Sequence, residues 1–199
     1  MPAREAGRSN QRRRTRKAIL DAAARLAGQG QTPTLEDVAQ EALVSRATAY
    51  RYFPSIEALL VEASLHIAFP DAQTLFGDES TDPAERIVRA ERAVHAMVLA
   101  HEPALRLMLA SSVTQPHSAD GEPVRQNRRT PLIELALAPA RARLGEAAFE
   151  RLAQALALII GTESLIVCKD VLGIDEAQAG ALKLWTAQAL VKAALAEAQ

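Results

Sequence analysis

The chain has 199 residues, of which 49% are hydrophobic and 4% aromatic, and its formal net charge is -1. This length suits one or two domains, and the composition is typical of a globular protein. Cys168 is the sole cysteine and no apolar run reaches the ~18 residues of a membrane helix, which excludes an internal disulfide and a simple membrane span. We expect a cytoplasmic protein that holds no metal and no cofactor.

The charge is unevenly distributed along the chain. Residues 1–60 contain ten Lys and Arg against six Asp and Glu, whereas residues 61–199 contain thirteen against eighteen. A basic segment followed by an acidic remainder is typical of a protein whose first part binds a polyanion such as DNA, because phosphate contacts supply much of the affinity for DNA. For Arg4–Lys17 taken alone, a solvated basic tail is the alternative.

The chain is predicted to be all-α, with about nine helices. Alanine and leucine recur at helical spacing, and no run of alternating β-branched residues indicates a sheet. A first helix should end at Gly28, and a short second helix should follow the N-cap Thr34. Ser45 is predicted to cap a third helix through Phe53, and Ser55 a fourth.

A second set of helices is predicted in the remainder of the chain. The elements expected there are a connection at Phe69–Pro83, helices that begin at Pro83 and Pro103, a loop at residues 114–123, a helix at Val124–Leu144, and long apolar helices at Glu146–Leu172 and Asp175–Ala196. Pro139 should kink or split the helix that contains it, because proline lacks an amide hydrogen and clashes with the preceding turn.

Two short helices joined by a tight turn form a helix-turn-helix, whose second helix enters the major groove of DNA. At 100° per residue, Ala49 and Phe53 share one face of that helix and should be buried. The side chains left outside or at the edges of that face are Arg46, Ala47, Thr48, Tyr50, Arg51 and Tyr52. Arginine pairs with guanine, methyl groups contact thymine and tyrosine hydroxyls reach phosphates, so this face is predicted to read DNA. The alternative is a solvated edge of a small core.

The stretch Thr34–Leu60 resembles the DNA-binding domain of TetR-family transcriptional regulators, and the resemblance spans roughly residues 12–65. It implies a helix-turn-helix domain with a basic N-terminal arm at residues 1–65, and a helical ligand-binding and dimerisation domain at residues 66–199. It also implies base reading by Arg46, Ala47 and Thr48. The residues expected to contact DNA are Thr34, Ser45, Arg46, Ala47, Thr48, Tyr50, Arg51 and Tyr52.

Three residues depart from the family pattern. Leu43 stands in the turn where the family usually has glycine, and a left-handed conformation is unfavourable for leucine. Ile56 stands where a phosphate-contacting lysine is common, and the basic residues Arg12–Lys17 could compensate for it. Tyr52 replaces the more usual histidine, which removes a group that titrates near neutral pH.

The second domain is expected to form dimers and to hold a ligand. Residues 161–173 and 184–191 are similar to the last two helices of many such regulators, which form the dimer interface. Apolar residues that favour pairing, with burial inside one subunit as the alternative, are Leu156, Ile159, Ile160, Ile166, Val167, Leu182, Trp185, Ala189 and Val191. Candidate ligand-binding residues are His95, Met97, Met108, Arg128, Arg129, Glu163 and Trp185. Each of these has a core or surface role as the alternative, and the two arginines could form salt bridges.

We therefore expect a homodimeric DNA-binding transcriptional regulator, a repressor that a small-molecule effector releases from a palindromic operator. The alternative is a DNA-binding regulator that needs no effector or answers to a protein partner. An enzyme is not expected, because the sequence has no H-E-x-x-H, no G-x-S-x-G and no glycine-rich phosphate loop. Glu91 and His95, four residues apart, are interpreted as a helix-surface pair and not as metal ligands.

Overall fold

The structure is a computed structural model that describes residues 2–29, 32–77, 80–114 and 126–198, without the side chains of residues 2–10 and Ser111. The described residues are almost entirely helical and contain no strand, so the predicted all-α class is confirmed. The chain divides into two compact units, Met1–Ala68 and Phe69–Gln199. The division falls slightly after residue 65 because one helix runs unbroken to Ala68.

The first unit contains the helix-turn-helix. Its helices are α1 (Pro2–Gly28), α2 (Leu35–Glu41), α3 (Arg46–Tyr52) and α4 (Ile56–Ala68). The predicted N-caps are confirmed: Ser45 Oγ accepts the Thr48 amide at 3.1 Å, and Thr34 forms a capping box with Asp37. The basic residues before Gly28 lie on a continuous helix, so the predicted N-terminal arm is helical.

The core of the first unit draws on all four of its helices. Ala49 and Phe53 are 0% and 2% exposed, which confirms the predicted inward face of α3. They pack with apolar side chains of α1, α2 and α4, among which are Ile19, Leu20, Val38, Leu59 and Ala63. This packing fixes the side of α3 that is turned away from solvent.

Arg16 of α1 joins the end of α3 to α4. Its guanidinium lies 4.5 Å from the centre of the Phe53 ring, and Nη1 donates to the carbonyl oxygen of Tyr52 at 3.5 Å. Nη2 forms an ion pair with Glu62, and both side chains are largely buried. One arginine therefore contacts the last turn of α3 and the middle of α4 together.

The second unit is built from shorter and more numerous helices than expected. They are α5 (Ala72–Phe76), α6 (Pro83–Ala100), α7 (Glu102–Thr114), α8 (Arg129–Leu137), α9 (Arg141–Leu144), α10 (Glu146–Ile159), α11 (Thr162–Ile166) and α12 (Glu176–Glu197). Pro139 lies in a 3₁₀ turn between α8 and α9, so the predicted split is confirmed. Helix α8 starts at Arg129 and not at residue 124. The loop predicted at residues 114–123 falls outside the described residues except for Thr114.

The single long helix predicted at Glu146–Leu172 is wrong, because the chain breaks at Gly161. This glycine has φ +140°, and a Cβ there would lie 2.5 Å from Arg129 Nη1. The same nitrogen donates to the carbonyl oxygens of Ala157 and Ile160 at 3.1 and 3.2 Å. Arg129 thus supplies hydrogen bonds that carbonyls at the end of α10 would otherwise lack, and glycine gives it room.

The core of the second unit lies where α6 and α8 meet α10 and α12. Three residues predicted for dimer pairing, Leu156, Ile160 and Val191, are fully buried there, so burial within one unit is the correct interpretation for them.

Among the described residues, no helix taken alone is long and apolar enough to cross a membrane. Helix α10 and the segment Thr162–Val171 reach that length and apolar character only when they are taken together, and they are bent by 44° relative to each other.

Candidate nucleic-acid interface

The side chains of α3 divide between core and solvent. Ala47 and Arg51 are exposed, Tyr50 is 43% exposed, and Thr48 is half-buried at the edge of the helix. Tyr52 is half-buried and packs against the core of the first unit, while the guanidinium of Arg51 lies 5.5 Å from its ring. The exposed face therefore presents a methyl group, hydroxyls and a cation, which are the groups that contact base edges and phosphates.

Arg46 begins α3 and is held by two neighbours. Its Nε lies 2.7 Å from Glu36 Oε1 in the first turn of α2, and its guanidinium lies 5.5 Å from the centre of the Tyr50 ring. The Arg46 side chain is still 69% exposed. Glu36 was not among the predicted site residues, although the sequence places a carboxylate in the first turn of α2 and an arginine in the first turn of α3.

An open groove of about 730 Å³ runs between α1 and the beginning and exposed face of α3. Its lining residues are Gln11, Arg12, Thr15, Val44, Ser45, Thr48, Arg51 and Tyr52. Seven of the eight lining residues carry a polar or charged group, and two are arginines, one from the basic segment and one from the predicted reading face. This combination of cations and hydroxyl groups suits the phosphates of a nucleic-acid backbone.

Thr34 stands at the exposed start of α2. Its backbone N–H and its hydroxyl both donate to Asp37 Oδ2, at 2.8 and 2.7 Å, and these hydrogen bonds lower the pKa of Asp37. The amides of the first helical turn lie beside this hydroxyl, and helix N-termini attract anions. The phosphate contact predicted for Thr34 stays a prediction, and it would require the hydroxyl to turn away from Asp37.

The turn between α2 and α3 contains the departure that the sequence indicated. Leu43 has φ +56° and a side chain 93% exposed, so leucine occupies a left-handed position without burying its apolar surface. The turn is closed by a hydrogen bond from the Val44 N–H to the Ala39 carbonyl oxygen at 2.9 Å. Ile56, another of the three departures, is half-buried against the core of the unit.

Comparison with known proteins places this unit in a family. Residues 19–63 match the family described as bacterial regulatory proteins, tetR family. The chain carries a TetR-family amino-terminal domain. An 82-residue stretch is 35% identical to the HTH-type transcriptional repressor LfrR of Mycolicibacterium smegmatis, and covers 41% of this chain and 43% of that protein. The chain therefore matches less than half of the length of this relative. No solved structure matches the chain.

In the second unit, two of the seven candidate ligand-binding residues contact each other. Arg129 Nη1 and Nη2 bind the two carboxylate oxygens of Glu163 at 2.7 and 2.8 Å, which is the salt bridge given as the alternative. Met97, Met108 and Arg128 are half-buried, and Trp185 is 67% exposed. The structure thus pairs Arg129 with Glu163, and a ligand site formed by the seven residues stays a prediction.

His95 lies in a polar cluster that the sequence did not predict. Its Nδ1 is 2.9 Å from Lys183 Nζ, which forms an ion pair with Glu91 at 2.7 Å. Burial, and then the charge of Lys183, lower the pKa of His95, against the weaker effects of Glu91 and Glu176. Glu91 is 1% exposed, so its interpretation as half of a surface pair is wrong. No described cluster of His, Cys, Asp and Glu is arranged to hold a metal ion.

Proposed function

We propose that the chain is a sequence-specific DNA-binding transcriptional regulator, and that it acts as a repressor. The observation that carries this proposal is the exposed face of α3 beside a groove lined by Arg12 and Arg51, on a TetR-family domain. A recognition helix inserted in the major groove would place that groove along the sugar-phosphate backbone. The repressor function is proposed because the matched relative is named a transcriptional repressor.

The groups on this surface have different roles in the proposed complex. Arg46 pairs with guanine, and the methyl groups of Ala47 and Thr48 contact thymine. The residues proposed to contact phosphates are Thr34, Ser45, Tyr50, Arg51 and Tyr52. Base contacts give the sequence preference, while phosphate contacts give affinity that depends on salt.

The proposed regulator is a homodimer that pairs through the last helices of each chain. Large exposed apolar side chains are present on α10, the segment after α11, and α12: Leu158, Val167, Val171, Leu172, Leu182 and Trp185. A single exposed leucine is ordinary, but several large apolar side chains on neighbouring elements favour a protein interface. Two α3 helices related by a two-fold axis would read a palindromic operator.

We also propose that a small-molecule effector bound in the second unit weakens DNA binding. Linkage requires that such an effector and the operator weaken each other's binding by the same factor. Support comes from two neighbouring ionisable groups of that unit, the half-buried His95 and the buried Lys183, which are suited to a polar ligand. Screening of effectors requires the operator first, since release from DNA is the readout.

Selection of bound sites from random duplex DNA, at one stated salt concentration, tests the DNA-binding proposal. Enrichment of a palindrome is expected. On that site Arg46→Ala should lose about 1–3 kcal/mol and relax the base preference at one position of each half-site. Arg25→Ala is the matched control, because Arg25 is an exposed arginine paired with Glu41 outside α3. No enrichment by the folded protein would contradict the proposal.

The groove is tested on the same site through the salt dependence of binding. Arg12→Gln should weaken binding to all sequences about equally and reduce the slope of log K against log salt by about one per half-site. Lys17→Gln is a suitable control, since Lys17 lies on the same helix, pairs with Asp21 and does not line the groove. Equal slopes for the wild type and Arg12→Gln would show that Arg12 does not contact phosphate.

A further inference from the structure

We infer that Glu36 is a positioning residue that orients Arg46 and thereby sets the sequence preference of the recognition helix. This inference rests on the proposed DNA-binding function and adds a residue to it. Glu36 lies in the first turn of α2, and Arg46 is the first residue of α3. The side chains meet across the helix-turn-helix at 2.7 Å.

The atom that Glu36 contacts is the basis of the inference. Its carboxylate oxygen lies against Nε of Arg46, the guanidinium nitrogen nearest to the aliphatic stem. The two terminal nitrogens are left to form the paired hydrogen bonds that arginine makes with O6 and N7 of guanine. A carboxylate on Nε therefore supports guanine reading and does not compete with it.

A second contact restricts the same guanidinium. The Tyr50 ring, one turn further along α3, lies 5.5 Å from the guanidinium carbon of Arg46. With the Glu36 carboxylate against Nε and the ring nearby, this long side chain has fewer conformations to lose when it binds a base. The exposed ion pair contributes little to the stability of the fold, so its main effect is expected on DNA binding.

The negative charge of Glu36 also acts against incorrect sites. Where no guanine faces Arg46, the Glu36 carboxylate still repels the negatively charged DNA, and no complete arginine–guanine contact offsets that repulsion. Specificity is a difference between two affinities, and a group that penalises the wrong partner increases it. Glu36 is thus expected to lower the affinity for non-cognate DNA and to preserve the affinity for the operator.

The chain provides a matched control on the same helix. Glu41, at the end of α2, pairs with Arg25 at 3.0 Å, and its side chain is 42% exposed, as is that of Glu36. Glu41→Gln and Glu36→Gln therefore remove the same charge and each break one exposed arginine pair. The difference between them is that Arg46 lies on the proposed reading face and Arg25 does not.

The experiment measures dissociation constants for the selected operator and for the same operator with one guanine replaced by adenine. That guanine is the position where Arg46→Ala loses discrimination. Glu36→Gln is expected to reduce the ratio of the two affinities by about tenfold, within the range of one bidentate contact. Glu41→Gln should leave the ratio within about twofold of the wild type. In the Arg46→Ala background, Glu36→Gln should no longer change the ratio.

Other results would overturn the inference. If Glu36→Gln raised the affinity for both DNAs by the same factor, Glu36 would act as a simple repulsive charge. If it lowered both affinities equally together with the melting temperature, its role would be structural. An Arg46→Ala variant that keeps every base preference would overturn it as well. Failure of the wild type to select any site would instead remove the proposed function on which the inference rests.

Discussion

Lys183 Nζ lies 2.7 Å from Glu91 Oε1 in an ion pair whose side chains are 4% and 1% exposed. The pair connects α12 to α6, and His95 Nδ1 lies 2.9 Å from the same ammonium. Two charges withdrawn from water are tolerated because each compensates the other. The free energy of unfolding of the second unit should therefore fall more when one of the two charges is removed than when both are removed.

Replacement of one partner of this pair should be strongly destabilising. Lys183→Met leaves the Glu91 carboxylate buried without compensation, and we expect a loss of about 3–5 kcal/mol of unfolding free energy. The double variant Glu91→Leu/Lys183→Met should recover most of that loss. Urea unfolding monitored by circular dichroism gives these values. As a control, Lys169→Met removes an exposed lysine that pairs with Glu102 and should change stability by less than about 1 kcal/mol, because Glu102 keeps its second partner Arg106. Similar losses for Lys183→Met and Lys169→Met would contradict this account.

The lowered pKa of His95 predicts a pH dependence of stability. In the unfolded chain histidine takes up a proton near pH 6.5, whereas the folded state resists protonation of His95 until a lower pH. The unfolded state thus binds more protons, and the unfolding free energy should fall as the pH decreases from 7.5 to 5.5. The slope stays below the limit of about 1.4 kcal/mol per pH unit for one group. His95→Gln should show a smaller decrease over this interval, and an unchanged slope would contradict the prediction.

Gly161 and Gly173 should respond differently to the same substitution. Both have positive φ, but a Cβ at Gly173 meets no atom within 4 Å, whereas one at Gly161 would meet Arg129 Nη1. Gly173→Ala should lose about 1–2 kcal/mol from the backbone conformation alone. Gly161→Ala should lose roughly 2 kcal/mol more, because its backbone conformation, φ +140° and ψ −166°, is essentially restricted to glycine, and because displaced Arg129 gives up hydrogen bonds to two carbonyls and to Glu163. Chemical denaturation compares them, and equal losses would mean that the guanidinium moves aside freely.

The turn before α3 should be stabilised by the residue that the family usually has there. Leu43→Gly removes the unfavourable left-handed leucine and is expected to raise the unfolding free energy of the first unit by about 1 kcal/mol. Leu43→Ala is the control, since it removes the exposed side chain and keeps the unfavourable φ, so little change is expected. Thermal unfolding measures both variants. A gain for alanine as large as that for glycine would show that the side chain, and not φ, is responsible.

The proposed dimer can be tested at one exposed side chain. Trp185→Glu places a charge among the exposed apolar residues of α10–α12 and should shift the protein from dimer to monomer in sedimentation velocity. Leu107→Glu is the control, because Leu107 is 65% exposed, similar to the 67% of Trp185, and lies on α7. Circular dichroism checks that both variants fold. A Trp185→Glu protein that remains dimeric at micromolar concentration would exclude this face as the interface.

The sequence predicted best what neighbouring residues determine. Thr34 and Ser45 were identified as caps because each satisfies amides within three residues. Ala49 and Phe53 were identified as core residues because helical spacing places them on the same face. The break at Gly161 was missed, since apolar helical periodicity continues on both sides of it. Its cause lies 32 residues away, in the Arg129 side chain.

Contacts between charged residues that are distant in sequence could not be predicted either. Lys183 looks like an ordinary surface residue in its own helix, and it is buried because Glu91 and His95 of α6 face it. Glu36 likewise has no visible role until the turn brings α2 and α3 together. Long-range pairs of this kind depend on how helices pack, which periodicity alone does not specify.

Arg16 gives the recognition helix a mechanical link to α4. The Phe53 ring and the Tyr52 carbonyl oxygen, which Arg16 contacts, belong to the end of α3, while Glu62 belongs to α4. Because the arginine is largely buried between them, α4 cannot slide along α1 without breaking the ion pair or pulling on the last turn of α3. Arg16 therefore couples the position of α4 to the end of the helix that carries the residues predicted to contact DNA, so that a displacement of α4 would act on α3 through one side chain.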